Sequence, residues 1–143
     1  MKTIIVSGYF NPCHVGHLDY FEAAKRLGDR LWVIVNNDTQ VALKGSVPFM
    51  TALDRFRIVE SIGIVDRTFL STDTSRSVCE SLGFVGMIAL RDGEVVFANG
   101  GDATAETVPE VGVCEQLGIQ AVFGIVPQIA QSSKILAEAG VTR

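Results

Sequence analysis

Both histidines of this 143-residue chain fall in one tetrapeptide, His14-Val15-Gly16-His17. Imidazole is the side chain whose ordinary titration lies nearest neutral pH, so the pair can hydrogen-bond phosphate oxygens or meet them as charge. Spaced i and i+3 where a helix starts, the two rings sit side by side near its N-terminal end. Helix N-termini favour anions, through open backbone N–H groups and the positive end of the helix dipole. The same tetrapeptide also arises as two incidental surface histidines near a turn, so the surrounding chain must decide between a site and a coincidence.

Just upstream, Thr3-Ile4-Ile5-Val6-Ser7 is β-branched and apolar, as a buried parallel strand requires. Gly8 and the Asn11-Pro12 pair break that strand. From His17 onward Leu18, Phe21, Ala24 and Leu27 recur at helical spacing, with Asp19, Glu22, Lys25 and Arg26 on other faces. Gly28 falls where the residue just past a helix C-cap is expected. The histidines are therefore predicted on a strand–loop–helix crossover, at the carboxyl end of the first strand. Open α/β sheets bind their ligands at that edge.

The rest of the chain alternates in the same way, which predicts an α/β fold with a doubly wound parallel sheet in a single domain, 1–143. Leu31 to Val35 is a second buried strand, followed by a polar loop from Asn36 to Met50 long enough to be functional. A helix from Ala52 to Ile62 follows Thr51, with Asp54 completing a capping-box variant. Val65 to Leu70 is the third strand and Thr74 to Leu82 the third helix. Asp92-Gly93, between Met87–Leu90 and Val95–Ala98, is a hairpin signal, so 84–94 is expected as an extra hairpin arm or an insertion before the strand Val95 to Ala98. Pro109 stands at the expected first residue of a helix that ends at Gly118. Gln120 to Phe123 is the last strand, and a final helix begins near Ser132 or Ser133.

Composition sets limits on function. Apolar residues make up 48% of the chain and mean hydropathy is +0.32, enough for a sizeable core. Net charge is −4 with no run of lysine and arginine, which argues against nucleic acid or an anionic membrane as partner. No apolar stretch approaches a membrane span, and one lysine followed by a strand does not resemble a signal peptide. Cys13, Cys79 and Cys114 are odd in number and lack C-x-x-C spacing, so neither a disulfide framework nor a zinc site is expected and a cytoplasmic setting fits. Cys79 and Cys114 read as small core residues. Cys13, beside His14 at a helix N-terminus, is placed where a thiol pKa can fall, although a plain spacer is the simpler reading.

The segment Gly8-Tyr9-Phe10-Asn11-Pro12-Cys13-His14-Val15-Gly16-His17 resembles the signature G-x-F-[DN]-x-x-H-x-G-H of the cytidylyltransferase-like nucleotidyltransferases, whose fold is Rossmann-like. Asn11 stands where aspartate is commonest in the glycerol-phosphate and heptose branches. The likeness continues in order through Lys25–Leu31, Asn36-Asn37-Asp38, Lys44-Gly45, Asp54-Arg55, Asn99-Gly100-Gly101-Asp102 and Gln131-Ser132-Ser133, nearly the whole chain. It implies attack of a phosphate monoester on the α-phosphate of ATP or CTP, with pyrophosphate leaving. Such transfers need positioning and charge stabilisation more than covalent help.

On this resemblance His14 and His17 stabilise the α-phosphate, Lys44 binds phosphate, and Arg55 reaches the triphosphate with its planar fork. Arg57 is left as plain surface. Gly8, Tyr9, Phe10, Asn11 and Gly16 line the nucleotide, with Gly16 letting backbone approach the phosphates. Asn99, Gly101 and Asp102 form a second nucleotide-binding turn, although Asn-Gly-Gly-Asp is also ordinary turn chemistry. Ser132 and Ser133 open the last helix, as phosphate contacts, routine N-caps or both. Magnesium is implied, held through the triphosphate with several waters and no metal residues of its own. A homodimer is implied as well. The glycerol-phosphate branch carries an arginine ahead of its Ser/Thr pair, whereas 125–131 here has no basic residue. Heptose-phosphate adenylyltransferase domains share that lack, which leans toward ATP and a small sugar or polyol phosphate. A glycerol-3-phosphate-type cytidylyltransferase and a catalytically silent nucleotide-binding regulatory module are the alternatives.

Overall fold

Strand β1 (Thr3–Gly8) buries every side chain from Thr3 to Val6, because it lies at the centre of the sheet with helices on both faces. The structure, a computed structural model, describes residues 1–101 and 103–126. Among these residues the sheet order is β3-β2-β1-β4-β5, with β2 (Arg30–Val35), β3 (Arg67–Leu70), β4 (Val95–Ala98) and β5 (Gln120–Val122), all neighbours parallel. The chain runs outward from β1 to β3 and then crosses back to β4. The order therefore reverses between β1 and β4, and that reversal opens a crevice at the carboxyl ends of the strands. This is the doubly wound α/β fold expected from the alternation of elements.

Period-two alternation along the strands divides the core in two. Ile4 and Val6 face α1 (Val15–Lys25) and α3 (Ala52–Glu60), packing with Phe21, Ala24 and Val59. Ile5 and Ile34 face α4 (Cys79–Leu90) and α5 (Val111–Leu117), packing with Leu82, Val85 and Cys114. The buried side of α1 is Tyr20, Phe21 and Ala24, while Leu18 and Leu27 are partly exposed at its margins.

Several local expectations change. The polar segment 36–50 contains a helix, α2 (Asp38–Lys44), started by a capping box between Asn37 and Gln40 and stopped by Gly45 at φ +80°. The helix expected over Thr74 to Leu82 begins instead at Cys79 and runs to Leu90 as α4, so Asp92-Gly93 joins a helix to β4 and is not a hairpin turn. A short apolar run such as Met87–Leu90 does not distinguish helix from strand by itself. Here the spacing of Leu82, Val85 and Ala89, all buried, completes one helical face. The start of α4 is delayed because the Asp73 carboxylate takes the amides of Glu80 (2.8 Å) and Ser81 (3.1 Å). Cys79, at that start, is half-buried, whereas Cys114 is buried as expected.

Helix α1 ends on Arg26, leaving Gly28 two residues beyond the cap. A Cβ on Gly28 would lie 2.9 Å from the Lys2 carbonyl, so its role is close approach of chain segments. Pro109 precedes α5 by two residues, and Gly118 at φ +74° ends that helix where expected. The expected helix from Ser132 or Ser133 lies outside the described residues, as do Asp102, Ser132 and Ser133 themselves. Among the described residues no helix is long and apolar enough to cross a membrane.

Candidate active site

The two imidazoles close the first turn of α1 on each other. His14, in extended conformation (φ −142°, ψ 179°), is the N-cap. Its Nδ1 accepts the Gly16 N–H at 3.1 Å, and its own N–H donates to His17 Nδ1 at 3.1 Å. This is a capping box built from histidine instead of Ser and Glu. With its Nδ1 acting as acceptor, the ring proton of His17 sits on Nε2, so His17 is an N–H donor at the positive end of a helix. The ring centroids are 4.0 Å apart.

The ring of Phe10 supports the pair from below. Phe10 is 2% exposed, stands edge-on to the His17 ring at 5.0 Å, and adopts a left-handed backbone at φ +52°. A Cβ on Gly8 would come within 2.8 Å of that ring, so glycine there leaves the space that Phe10 fills. The His17 pKa is pushed down to about 3, first by burial and then by the charges of His14 and Lys44. His17 therefore stays neutral at ordinary working pH.

Helix α2 spans the carboxyl edge of the sheet. At its start, Asn37 Nδ2 donates to the carbonyls of Ser71 and Asp73, and Gln40 Nε2 to those of Ser75 and Ser77. At its end, Lys44 Nζ lies 4.4 Å above the Tyr9 ring. This stretch delivers the lysine from β2 to the histidine turn, and the charge of Lys44 is felt at His17.

Arg55, expected to reach the triphosphate, is instead 1% exposed, with its donors directed at the protein. Nη1 donates to the carbonyls of Tyr9 and Asn36, each at 2.7 Å, Nε to that of Met50 at 3.3 Å, and Nη2 to Asp38 Oδ1 at 2.9 Å. It joins the end of β1, the end of β2, α2 and the segment before α3. Arg57 is exposed, as expected of surface.

Asn11 is likewise turned into the protein: Nδ2 donates to the Val47 carbonyl and Oδ1 accepts the Phe49 N–H, both at 2.8 Å. Across the β1–β4 crevice, Asn99 donates from N and Nδ2 to the Val122 carbonyl, at 2.9 and 3.1 Å. Gly101, at φ +63°, donates to the Val126 carbonyl, so this turn is fastened to the segment after β5. Tyr20 Oη donates to the Ala98 carbonyl at 2.6 Å and ties α1 to the end of β4. The structure thus brings Gly8, Tyr9, Phe10, Asn11, His14, Gly16, His17 and Lys44 around one turn, with Asn99 and Gly101 at the end of β4. Asp38, Gln40 and Tyr20 join the site as residues without an expected role, and the Asn37-to-Gln40 capping spacing is the local signal for Gln40.

Residues 5–133 match the family model described as cytidylyltransferase-like. The chain belongs to that family. The bifunctional protein HldE of Marinomonas sp. (strain MWYL1) is 36% identical over 110 residues, covering 75% of this chain and 21% of that protein. The FAD synthase of Methanocorpusculum labreanum is 38% identical over 74 residues, covering 52% of each. This chain thus spans about half the length of the FAD synthase and a smaller part of the HldE protein. Among solved structures, the lipopolysaccharide core biosynthesis protein from Thermoplasma volcanium GSS1 superposes with a TM-score of 0.65 at 21% identity, over 92% of this chain and 98% of that one. That likeness places the chain in the same Rossmann-like fold.

Cys13 stands inside the family signature, yet burial pushes its thiol pKa up, outweighing the hydrogen bond from the His14 backbone that favours the thiolate. The expected result is that iodoacetamide modifies Cys13 at pH 7.5 more slowly than it modifies a free thiol such as glutathione. Modification as fast as glutathione's, read by mass spectrometry, would show an activated thiol instead.

Proposed function

We propose that this cytidylyltransferase-like chain moves a nucleoside monophosphate from ATP or CTP onto a small phosphate monoester, with ATP and a sugar or polyol phosphate the favoured pair. The observation that carries the reading is the paired imidazole cap. It places both imidazoles at the positive end of α1, with His17 neutral and its Nδ1 occupied, beside the crevice where the strand order reverses. An acceptor phosphate oxygen attacks the α-phosphorus, the bond from that phosphorus to the bridging oxygen breaks, and pyrophosphate leaves. Negative charge builds on the equatorial oxygens of the five-coordinate phosphorus, where preorganised N–H donors act most strongly.

The Lys44 ammonium, at the end of α2, supports the leaving phosphates. Magnesium, bound through the triphosphate, would lower the charge that the protein has to meet. The fit is through the substrate: the side chains around the turn are N–H donors and a cation, and Asp38 Oδ1 and Oδ2 are taken by Arg55 and the Ala52 N–H. Among the described residues no group of three or more His, Cys, Asp or Glu side chains is placed to hold a metal.

The relatives support the lean to ATP. FAD is adenylate joined to the phosphate of a flavin-bearing polyol, so a FAD synthase is an instance of this chemistry. The test is pyrophosphate release with magnesium, comparing ATP with CTP against flavin mononucleotide, heptose phosphate and glycerol 3-phosphate. Release with ATP and a polyol or sugar phosphate is the expected result. Release with CTP and glycerol phosphate would establish the cytidylyl alternative, and nucleotide binding without turnover would favour a regulatory module. Lys44→Ala is expected to weaken ATP binding about tenfold or more and AMP binding far less, since a charge-assisted contact to the outer phosphates is lost. Equal losses by calorimetry would remove Lys44 from the triphosphate site.

A further inference from the structure

Strands β1 and β4 pair from Thr3–Val95 to Ile5–Phe97 and then part, whereas β1 stays paired with β2 as far as Gly8–Val35. The sheet therefore splits over the last residues of β1, and this split is the crevice. Asn99 turns its N–H and its carbonyl to the β5 side, toward Val122 and Ile125, so the Ala98 carbonyl one residue earlier faces the gap on the β1 side. Ala98 is fully buried, and an acceptor left there without a donor would be costly. The Tyr20 hydroxyl supplies the donor, at 2.6 Å. Tyr20 is 7% exposed, and burial pushes its pKa up, so the phenol keeps the proton it donates.

Tyr20 also meets the turn that follows β4. A Cβ on Gly100 would lie 3.3 and 3.4 Å from the Tyr20 ring and 3.0 Å from the Val126 side chain, so the bare Gly100 backbone rests against both. On α1, Tyr20 stands three residues after His17, on the same side of the helix. One side chain thus ties the helix that carries the histidine cap to the far wall of the crevice, at the Ala98 carbonyl and against Gly100.

From this arrangement we propose that Tyr20 is a positioning residue that sets the width of the crevice. It holds the Asn99–Gly101 turn at a fixed distance from the histidine turn, so that one nucleoside triphosphate reaches both: phosphates at the histidines and Lys44, nucleoside at the end of β4. The proposal rests on the nucleotide-binding part of the reading above. Loosening the far wall weakens a ligand that spans the crevice and spares one that occupies the histidine side alone.

Calorimetry on the full chain with magnesium tests it, with ATP and inorganic triphosphate as the two probes. Tyr20→Phe removes one hydroxyl and keeps the ring. It is expected to weaken ATP binding about fivefold or more while inorganic triphosphate stays within about twofold of wild type, since one buried hydrogen bond is lost at the far wall only. Gly100→Ala disturbs the same contact from the other side and should give the same selective loss. The two substitutions together should weaken ATP binding by less than the product of their separate factors, because both act on one contact.

A merely structural role would lower the melting temperature and change both probes alike. Equal losses for ATP and inorganic triphosphate overturn the proposal, as does unchanged ATP affinity in Tyr20→Phe or a double variant whose factors simply multiply. A wild-type chain that binds ATP without turnover ends the transferase reading but not this proposal, which the two probes still decide. A wild-type chain that does not bind ATP overturns both, and one that binds ATP but not inorganic triphosphate overturns the two-sided crevice.

Discussion

His17→Ala is expected to lower turnover by about a hundredfold or more while ATP affinity changes by less than about threefold, since loss of one preorganised donor to developing charge costs that order of rate. The Nε2–H of His17 is fixed by the His14 N–H on Nδ1 and by the Phe10 ring against its edge, so it needs no reorganisation as the reaction proceeds. An interaction that is stronger in the transition state than in the ground state appears in kcat, not in binding. Equal losses in kcat and ATP affinity would make His17 a simple ground-state contact.

The ionisation of His17 adds a second readout. Its folded pKa is depressed to about 3, from an ordinary 6.5, by burial and by the neighbouring charges of His14 and Lys44. As pH falls, the unfolded chain takes up this proton first, so the contribution of a neutral buried His17 to stability is lost progressively from about pH 6.5 toward pH 3. Urea titrations across that window should show a shallower loss in His17→Ala than in wild type. In the same way, an acid limb of activity near pH 6 would not arise from His17 in the free protein.

The second large effect belongs to Arg55. Arg55→Ala is expected to lower the unfolding free energy by about 3–5 kcal/mol, since three carbonyls lose their donor at about 1–3 kcal/mol each. Asp38 keeps half its side-chain surface in water and can be rehydrated. The carbonyls of Tyr9, Asn36 and Met50 lose their shared donor, and buried acceptors left unpaired account for most of the loss. Arg55→Lys should recover little, because one ammonium cannot reach oxygens spread around a planar fork. Activity should fall with it, since β1, β2 and α2 meet through this side chain. A loss below about 1 kcal/mol, accompanied by a drop in triphosphate affinity, would return Arg55 to the role its sequence position suggested.

Much of the fold and part of the site are written locally. The β-branched run Thr3–Ser7, the breakers after it, and histidines at helix-start spacing are consequences of near neighbours, and each element forms where those neighbours place it. Helix α2 was hidden because it is short and polar. It is held by Gln40 and Asn37 to carbonyls more than 30 residues away, a stabilisation no local window contains. The Met87–Leu90 run was ambiguous for the opposite reason: an apolar stretch fits strand or helix until the position of Leu82 and Val85 against β4 selects one.

The sequence by itself determined the family signature, the order of the strands along the chain and the place of the histidines at the carboxyl end of β1, because these depend on residue type and short-range spacing. Only the tertiary structure decided which polar side chains are spent on the protein itself. Arg55 and Asn11 look alike from either role in one dimension, and their partners lie 5 to 46 and 36 to 38 residues away. A buried donor must find its acceptor wherever the chain returns, and that return is fixed by packing, not by neighbours in sequence.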